Sequence, residues 1–114
     1  MSRRDPMVPV RHMLNHAREA VEMVQNRSRT DLDTDRMLNL AFVRLLEVVG
    51  EAATRVPEEF QSRHPQVPWR DVADLRHRLI HAYDTVDFDI LWTILHDDLP
   101  ALIAQLQAIV AEGP

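Results

Sequence analysis

Apolar residues recur every three or four positions along almost the whole chain, and no stretch alternates in the strict manner of a half-buried strand. This pattern predicts amphipathic helices. The first helix is expected from Asp5 to about Arg27, with Pro6 in the first turn, where a missing N–H is harmless. The apolar stripe that it should bury consists of Val10, Leu14, Ala17, Val21 and Val24.

The second predicted helix follows a polar segment, in which Thr30, Asp31 and Thr34 are candidate caps, and it ends at about Val56. Apolar residues cover most of its circumference, namely Met37, Leu38, Leu40, Ala41, Phe42, Val43, Leu45, Leu46, Val48 and Val49. A helix of this kind must be packed on several sides. Because so short a chain has few other helices, a second copy is the expected cover. Gly50 costs about 1 kcal/mol in a helix, and close approach of a neighbouring helix at this point would also favour a homodimer.

Prolines divide the rest of the chain. Pro57 and Pro65 leave room for a short helix around Glu58–Arg63, and Pro68 opens a third long helix that should run to about Tyr83. Its inward residues are expected to be Trp69, Val72, Leu75 and Leu79, with Ile80 as a further candidate.

A turn from Asp84 to Asp87 then leads into the last helix, which Asp87 can cap and Pro100 should kink near Asp97 and Asp98. Its predicted apolar stripe is Phe88, Leu91, Leu95, Leu99, Leu102, Leu106 and Ile109. The expected fold class is therefore all-α, an antiparallel homodimeric bundle of four long helices and one short helix, in a single domain over residues 1–114.

Composition narrows the functional classes. The chain contains no cysteine, which excludes a disulfide framework and a thiolate metal site. No apolar run approaches the ~20 residues of a membrane span, and the first residues lead into no signal-type segment, so the expected compartment is the cytoplasm. A net charge of −5 argues against sequence-blind attraction to nucleic acid.

The most informative string lies at residues 76–83, where Arg76 stands five positions before His81 and Tyr83 stands two positions after it. Arginine can grip a phosphate with a permanently charged planar fork, and histidine titrates near neutral pH. Together they supply a proton carrier and a cation for charge on phosphorus, which is what metal-free RNA cleavage needs. The surrounding segment is also locally basic, with Arg63, His64, Arg70, Arg76, His77, Arg78 and His81 against Asp71 and Asp74.

Several strings, in this order, resemble the HepT-like branch of the HEPN family. They are Gly50-Glu51-Ala52, Pro68-Trp69-Arg70, the RxxxxHxY string at residues 76–83, Tyr83-Asp84-Thr85-Val86-Asp87, Leu91-Trp92 and Leu99-Pro100. The resemblance spans roughly residues 5 to 110. One departure is His77, which stands where many relatives carry Asn.

The resemblance implies a metal-independent endoribonuclease without a cofactor, the toxin of a prokaryotic toxin–antitoxin pair. Arg76 and His81 would be catalytic in a cleft between two protomers, with His77, Arg78 and Glu51 as auxiliary residues. Tyr83 would accept AMP from a minimal nucleotidyltransferase antitoxin. The implied partners are therefore a second copy, the antitoxin and an RNA substrate, with no membrane.

Helical geometry leaves alternatives open. On a continuous helix five residues turn through about 500 degrees, so Arg76 and His81 would emerge about 140 degrees apart. They could converge through the reach of the arginine, through fraying of the helix near Tyr83 or across a symmetry mate, and the resemblance implies the last. His77 and His81 would share a face, as in a helical metal pair that Asp74 or Asp84 could complete. A third possibility is a dimeric module that binds a nucleotide or a protein without catalysis. In the simplest structural roles, His81 and Tyr83 would only cap a helix and the bundle, respectively.

Overall fold

The computed structural model describes residues 5–113, apart from the side chain of Asp84. This part of the chain is helical and contains no β-strand. The helices are α1 Met7–Val24, α2 Arg29–Thr34, α3 Arg36–Thr54, α4 Glu58–Arg63, α5 Trp69–Ala73, α6 Leu75–Leu79, α7 Phe88–Thr93 and α8 Leu99–Glu112. A 3₁₀ turn, Ala82–Asp84, follows α6, and a π-helical turn, Ile94–Asp98, joins α7 to α8. None of these helices is long and apolar enough to cross a membrane.

The start of the chain follows the prediction more closely than the segment after it. Asp5 accepts a hydrogen bond from the Met7 amide at 2.9 Å, and α1 begins at Met7, just after the predicted start at Asp5. Helix α1 ends at Val24 rather than Arg27, because Gln25 is extended and Asn26 then adopts a left-handed backbone with φ of 63°. The predicted stripe of α1 is confirmed at four buried positions, Val10, Leu14, Ala17 and Val24. Val21 is only partly buried.

A short helix, α2, was not predicted. Ser28 and Asp31 form a capping box, in which the Ser28 amide donates to the Asp31 carboxylate at 2.8 Å. The expected caps of the second long helix therefore lie inside α2. The actual cap is Asp35, whose Oδ1 accepts from the Leu38 amide at 3.0 Å and starts α3.

Helix α3 lies against α1 and α5, and α8 covers another side of α1. Its inner face is buried as predicted, but the side chains of Met37 and Leu40 are 83% and 51% exposed. A Cβ added to Gly50 would lie 3.0 Å from the carbonyl oxygen of Val72. Gly50 does mark a close helix contact, but the neighbour is α5 of the same chain. The glycine therefore gives no support to a homodimer, which stays a prediction.

The last helix bears out two local predictions. Asp87 caps α7, since its carboxylate accepts hydrogen bonds from the amides of Asp89 and Ile90 at 3.0 and 3.1 Å. The helical path widens into the π turn immediately before Pro100, which cannot donate the usual backbone hydrogen bond. Of the predicted stripe, Phe88 is partly buried and the other six residues are fully buried.

Candidate active site

The motif helix is shorter than predicted and is divided in two. Helix α5 ends at Ala73, Asp74 departs from helical geometry, and α6 ends at Leu79 instead of Tyr83. Ile80 is extended and pairs with Val86 in an isolated antiparallel bridge. Ile80 and Val86 are β-branched, and β-branched residues favour extended backbone. The bridge pairs the two residues with each other, which a further helical turn would not do.

Hydrogen bonds across the 80–86 loop stabilise this ending. The His81 amide donates to the Thr85 carbonyl at 2.8 Å, and the Asp87 amide donates to the Leu79 carbonyl at 2.9 Å. His81 therefore lies outside the helix with an extended backbone. The expected angle of about 140 degrees between Arg76 and His81 on one helix does not apply, because the two residues belong to different segments.

Arg76 lies on α6 and is held against α3. Its Nε donates to Glu47 Oε2 at 3.0 Å, and 58% of the arginine side chain is exposed. Glu47 stands one helical turn before Gly50, where α3 and α5 touch, so its carboxylate projects toward the motif helix. Sequence reasoning missed Glu47, although a carboxylate one turn from a close-contact glycine was the available signal.

His81 faces a carboxylate. Its Nε2 lies 3.6 Å from Asp87 Oδ2, and 53% of the histidine side chain is exposed. A hydrogen bond from the Ile90 amide, the nearby imidazole of His81 and a hydrogen bond from the Asp89 amide outweigh the opposing effect of burial and hold the pKa of the Asp87 carboxyl below its usual value. Asp87 is therefore ionised at neutral pH, and its carboxylate faces the imidazole of His81. Asp87 was predicted only as a helix cap.

The auxiliary residues His77 and Arg78 are bound to other carboxylates. His77 is exposed and its Nδ1 bonds to Asp74 Oδ1, whereas Arg78 Nη1 donates to Asp98 Oδ2 at 3.1 Å. Because α6 ends at Leu79, His77 and His81 do not share a helical face, and that premise of the metal-pair alternative is wrong. Asp74 is engaged by His77, and the Asp84 side chain lies outside the described residues. Over residues 5–113, with that side chain excepted, no three His, Asp or Glu side chains converge as a metal site.

Tyr83 stands on the 80–86 loop with its side chain fully exposed. This exposure contradicts the alternative in which Tyr83 only caps the bundle. Its backbone is left-handed, with φ of 60° and ψ of 30°, a conformation that costs an ordinary L-residue roughly 1–2 kcal/mol. Backbone strain of this sort is often associated with functional sites. The loop therefore presents the tyrosine ring to solvent at some cost in stability.

Glu51 lies on the outer face of α3, where its Oε1 accepts from Arg55 Nη2 at 3.1 Å. It shares the wall of a cavity of about 260 Å³ with Arg76, Glu47 and Arg44. This cavity lies between α3, α5 and α6, and the loop residues His81 and Tyr83 do not line it. The structure thus brings Arg76 together with Glu51, whereas His81 is grouped with Asp87.

Comparisons with known proteins point to one family. The family model described as "Ribonuclease HepT-like" matches residues 13–109. A protein of Caldanaerobacter subterraneus subsp. tengcongensis named as a "Putative RNase" is 36% identical over 105 residues, which are 92% of this chain and 94% of that protein. A "Probable ribonuclease HepT" of Thermococcus cleftensis is 36% identical over 95 residues, 80% of this chain and 86% of the relative.

A third relative, a "Putative RNase" of Methanocaldococcus jannaschii, is 29% identical over 109 residues, which are 96% of this chain and all of that protein. No solved structure matches the chain. The family model covers most of the chain and includes α5, α6 and the whole 80–86 loop. Two of these relatives also extend over at least 80% of the chain at 36% identity. The chain therefore belongs to the HepT-like ribonuclease family.

Proposed function

We propose that this protein is a metal-independent endoribonuclease and the toxin of a prokaryotic toxin–antitoxin pair. Membership of the HepT-like ribonuclease family and the ribonuclease names of its relatives support the reaction class. The observation that carries the proposal is the exposure of both motif side chains, since more than half of Arg76 and of His81 is accessible. Residues needed only for packing or capping would not require this access.

The chemistry assigns one role to each side chain. His81 accepts the proton of a ribose 2′-hydroxyl, whose oxygen then attacks the adjacent phosphorus. Arg76 stabilises the negative charge on the pentacoordinate phosphorus, and the bond to the 5′-oxygen breaks as a protonated imidazole returns a proton to that oxygen. The products are a 2′,3′-cyclic phosphate and a free 5′-hydroxyl.

The active site is proposed to be composite, with Arg76 and His81 contributed by two copies of the chain. Within one copy Arg76 points to the α3 side of α6, and His81 faces the start of α7. The exposed apolar side chains of Met37 and Leu40 on α3, and Val8 on α1, are surface that a second copy could cover. Sedimentation should show a dimer, and a stable monomer of 13.2 kDa at micromolar concentration would rule out the composite site.

The reaction is tested with the purified protein and an end-labelled RNA in EDTA. His81→Ala and Arg76→Ala should each lower cleavage by about 10²-fold or more, the usual scale for a lost acid–base group or charge-stabilising cation. His16→Ala and Arg18→Ala, on α1, are matched controls that should retain activity. A 2′-deoxy substitution at the cut should abolish cleavage at that position.

Two results would overturn this assignment. Loss of activity in EDTA with recovery on addition of zinc would show that a metal is required. Full activity or growth inhibition by both motif variants would instead favour the non-catalytic binding module.

Regulation is proposed to act through Tyr83, by transfer of AMP from a minimal nucleotidyltransferase antitoxin. The exposed ring on the 80–86 loop is accessible to such an enzyme. Its hydroxyl stands two residues after His81, so the modification would add a bulky group and a phosphodiester charge near the proposed site. The modified side chain would compete with RNA for the same cations.

A further inference from the structure

We propose that Asp87 positions His81 so that Nδ1, rather than Nε2, exchanges protons with RNA. This inference rests on the proposed ribonuclease function. Asp87 is a positioning residue here, because it acts through the imidazole and does not touch the reacting atoms.

The two oxygens of the Asp87 carboxylate have different tasks. Oδ1 accepts hydrogen bonds from the amides of Asp89 and Ile90, at 3.0 and 3.1 Å, so the N-terminus of α7 fixes the orientation of the carboxylate. Oδ2 faces His81 Nε2 at 3.6 Å. A carboxylate that only capped the helix would not need its second oxygen directed at an imidazole.

The backbone fixes the separation between these two residues. The His81 amide bonds to Thr85 and the Asp87 amide bonds to Leu79, and the Ile80–Val86 bridge lies between the two hydrogen bonds. His81 and Asp87 therefore stand on facing sides of one closed loop. The Asp87 side chain is 34% exposed and that of His81 is 53% exposed, so the imidazole stays accessible while the hydrogen bonds of the loop keep the carboxylate beside it.

A carboxylate beside Nε2 determines which nitrogen is available for catalysis. It favours the neutral tautomer with the proton on Nε2, which leaves the lone pair of Nδ1 for the 2′-hydroxyl proton. When Nδ1 takes that proton, Asp87 stabilises the imidazolium that forms. The proton on Nδ1 is then delivered to the leaving 5′-oxygen, so the ring returns to its starting tautomer and the proton balance closes.

The test uses substitutions that keep the cap but remove the carboxylate. Asn and Ser are as good as Asp at a helix N-terminus, so Asp87→Asn and Asp87→Ser should preserve α7. Both should lower kcat by about 10- to 100-fold with KM nearly unchanged, which is part of the 10²–10⁴ that an acid–base group supplies. Asp35→Asn is the matched control, because Asp35 caps α3 in the same way. This variant should leave both kcat and KM unchanged.

A second readout follows the ring itself. The ¹⁵N chemical shifts of His81 should show the Nε2–H tautomer in the wild-type protein and a mixture of tautomers in Asp87→Asn. Full kcat in both folded variants, or a predominant Nδ1–H tautomer in the wild type, would overturn the positioning role. The shifts do not require cleavage. A wild-type protein without ribonuclease activity would therefore refute the proposed function, while the shifts would still decide whether Asp87 sets the tautomer.

Discussion

Asn26, between α1 and α2, and Tyr83, between α6 and α7, share the same left-handed backbone, with φ of 63° and 60°. Asparagine tolerates this region because its short side chain can bond locally, whereas an aromatic residue has no such compensation. The loop between α1 and α2, here called the first loop, therefore turns the chain with a residue that tolerates this backbone. The 80–86 loop, here called the second loop, uses one that does not. The difference indicates that the second loop serves to present a side chain as well as to reverse the chain.

The supports on either side of the two residues also differ. The first loop is followed by the Ser28–Asp31 capping box, a local device that is sufficient for a tolerant residue. The second is closed on both sides by the Ile80–Val86 bridge and is followed by the Asp87 cap. Strained conformations persist where the surrounding structure over-determines them. The 80–86 loop fits that description.

The largest expected effect concerns the hydroxyl that the second loop presents. Tyr83→Phe keeps the ring and the backbone but removes the proposed acceptor atom. Incubation with a minimal nucleotidyltransferase and ATP should add the mass of AMP to the wild type and to Asn26→Gly, but none to Tyr83→Phe. RNA cleavage by unmodified Tyr83→Phe should equal that of the wild type. AMP on the Phe variant would mean that another residue is the acceptor.

The second prediction places an aromatic residue at the left-handed position between α1 and α2. Asn26→Tyr should destabilise the protein by roughly 1–2 kcal/mol, because the same backbone would then hold a residue that does not tolerate it. The measurement is the urea midpoint at constant m-value. Asn26→Gly should stay close to the wild type. An unchanged midpoint for Asn26→Tyr would show that the left-handed region is not costly at this position.

The reverse substitution should give a smaller change of opposite sign. Tyr83→Asn should raise the free energy of unfolding by about 1 kcal/mol, since the backbone strain is relieved and the exposed ring contributes little packing. Tyr83→Phe is the control and should leave the urea midpoint unchanged. A less stable Tyr83→Asn protein would show that the ring makes contacts in solution, for example with a second copy.

The smallest expected effect depends on pH and concerns the cap that closes the second loop. In the folded protein the pKa of Asp87 lies below its ordinary value of 3.8. The charged carboxylate therefore contributes stability that is fully present above about pH 3.8. This contribution should be lost as the pH falls through the lower folded value. The difference in urea midpoint between the wild type and Asp87→Asn should accordingly be present near neutral pH and narrow on acidification below 3.8. A difference that does not vary with pH would assign the effect to the cap alone.

The parts of the fold that the sequence predicted are those decided by local signals. The Glu58–Arg63 helix, the Asp87 cap and the interruption before Pro100 each depend on residues within a few positions of one another. The apolar stripe of α1 and the one that runs from α7 to α8 were similarly evident from their spacing. Family resemblance led to the motif, and membership of the HepT-like family is confirmed.

The early end of the motif helix was not predictable in the same way. Residues 76–83 contain no glycine or proline, and their one β-branched residue, Ile80, disfavours a helix only slightly. What ends it is a set of hydrogen bonds that exists only after Leu79 and Asp87 have met. The Glu47–Arg76 pair, separated by 29 positions, also depends on the packing of α3 against the motif helices. Tertiary contacts therefore decided the geometry of the candidate site.

The close contact at Gly50 has a mechanical consequence. Since the backbone of α5 fits against α3 with no space for a Cβ, relative sliding of these helices would create a clash, and they should move as one rigid body. Arg76 is attached to that body through Glu47, whereas His81 belongs to the 80–86 loop, which the Ile80–Val86 bridge closes separately. The guanidinium should therefore keep its place relative to α3 and α5 whatever happens in the 80–86 loop.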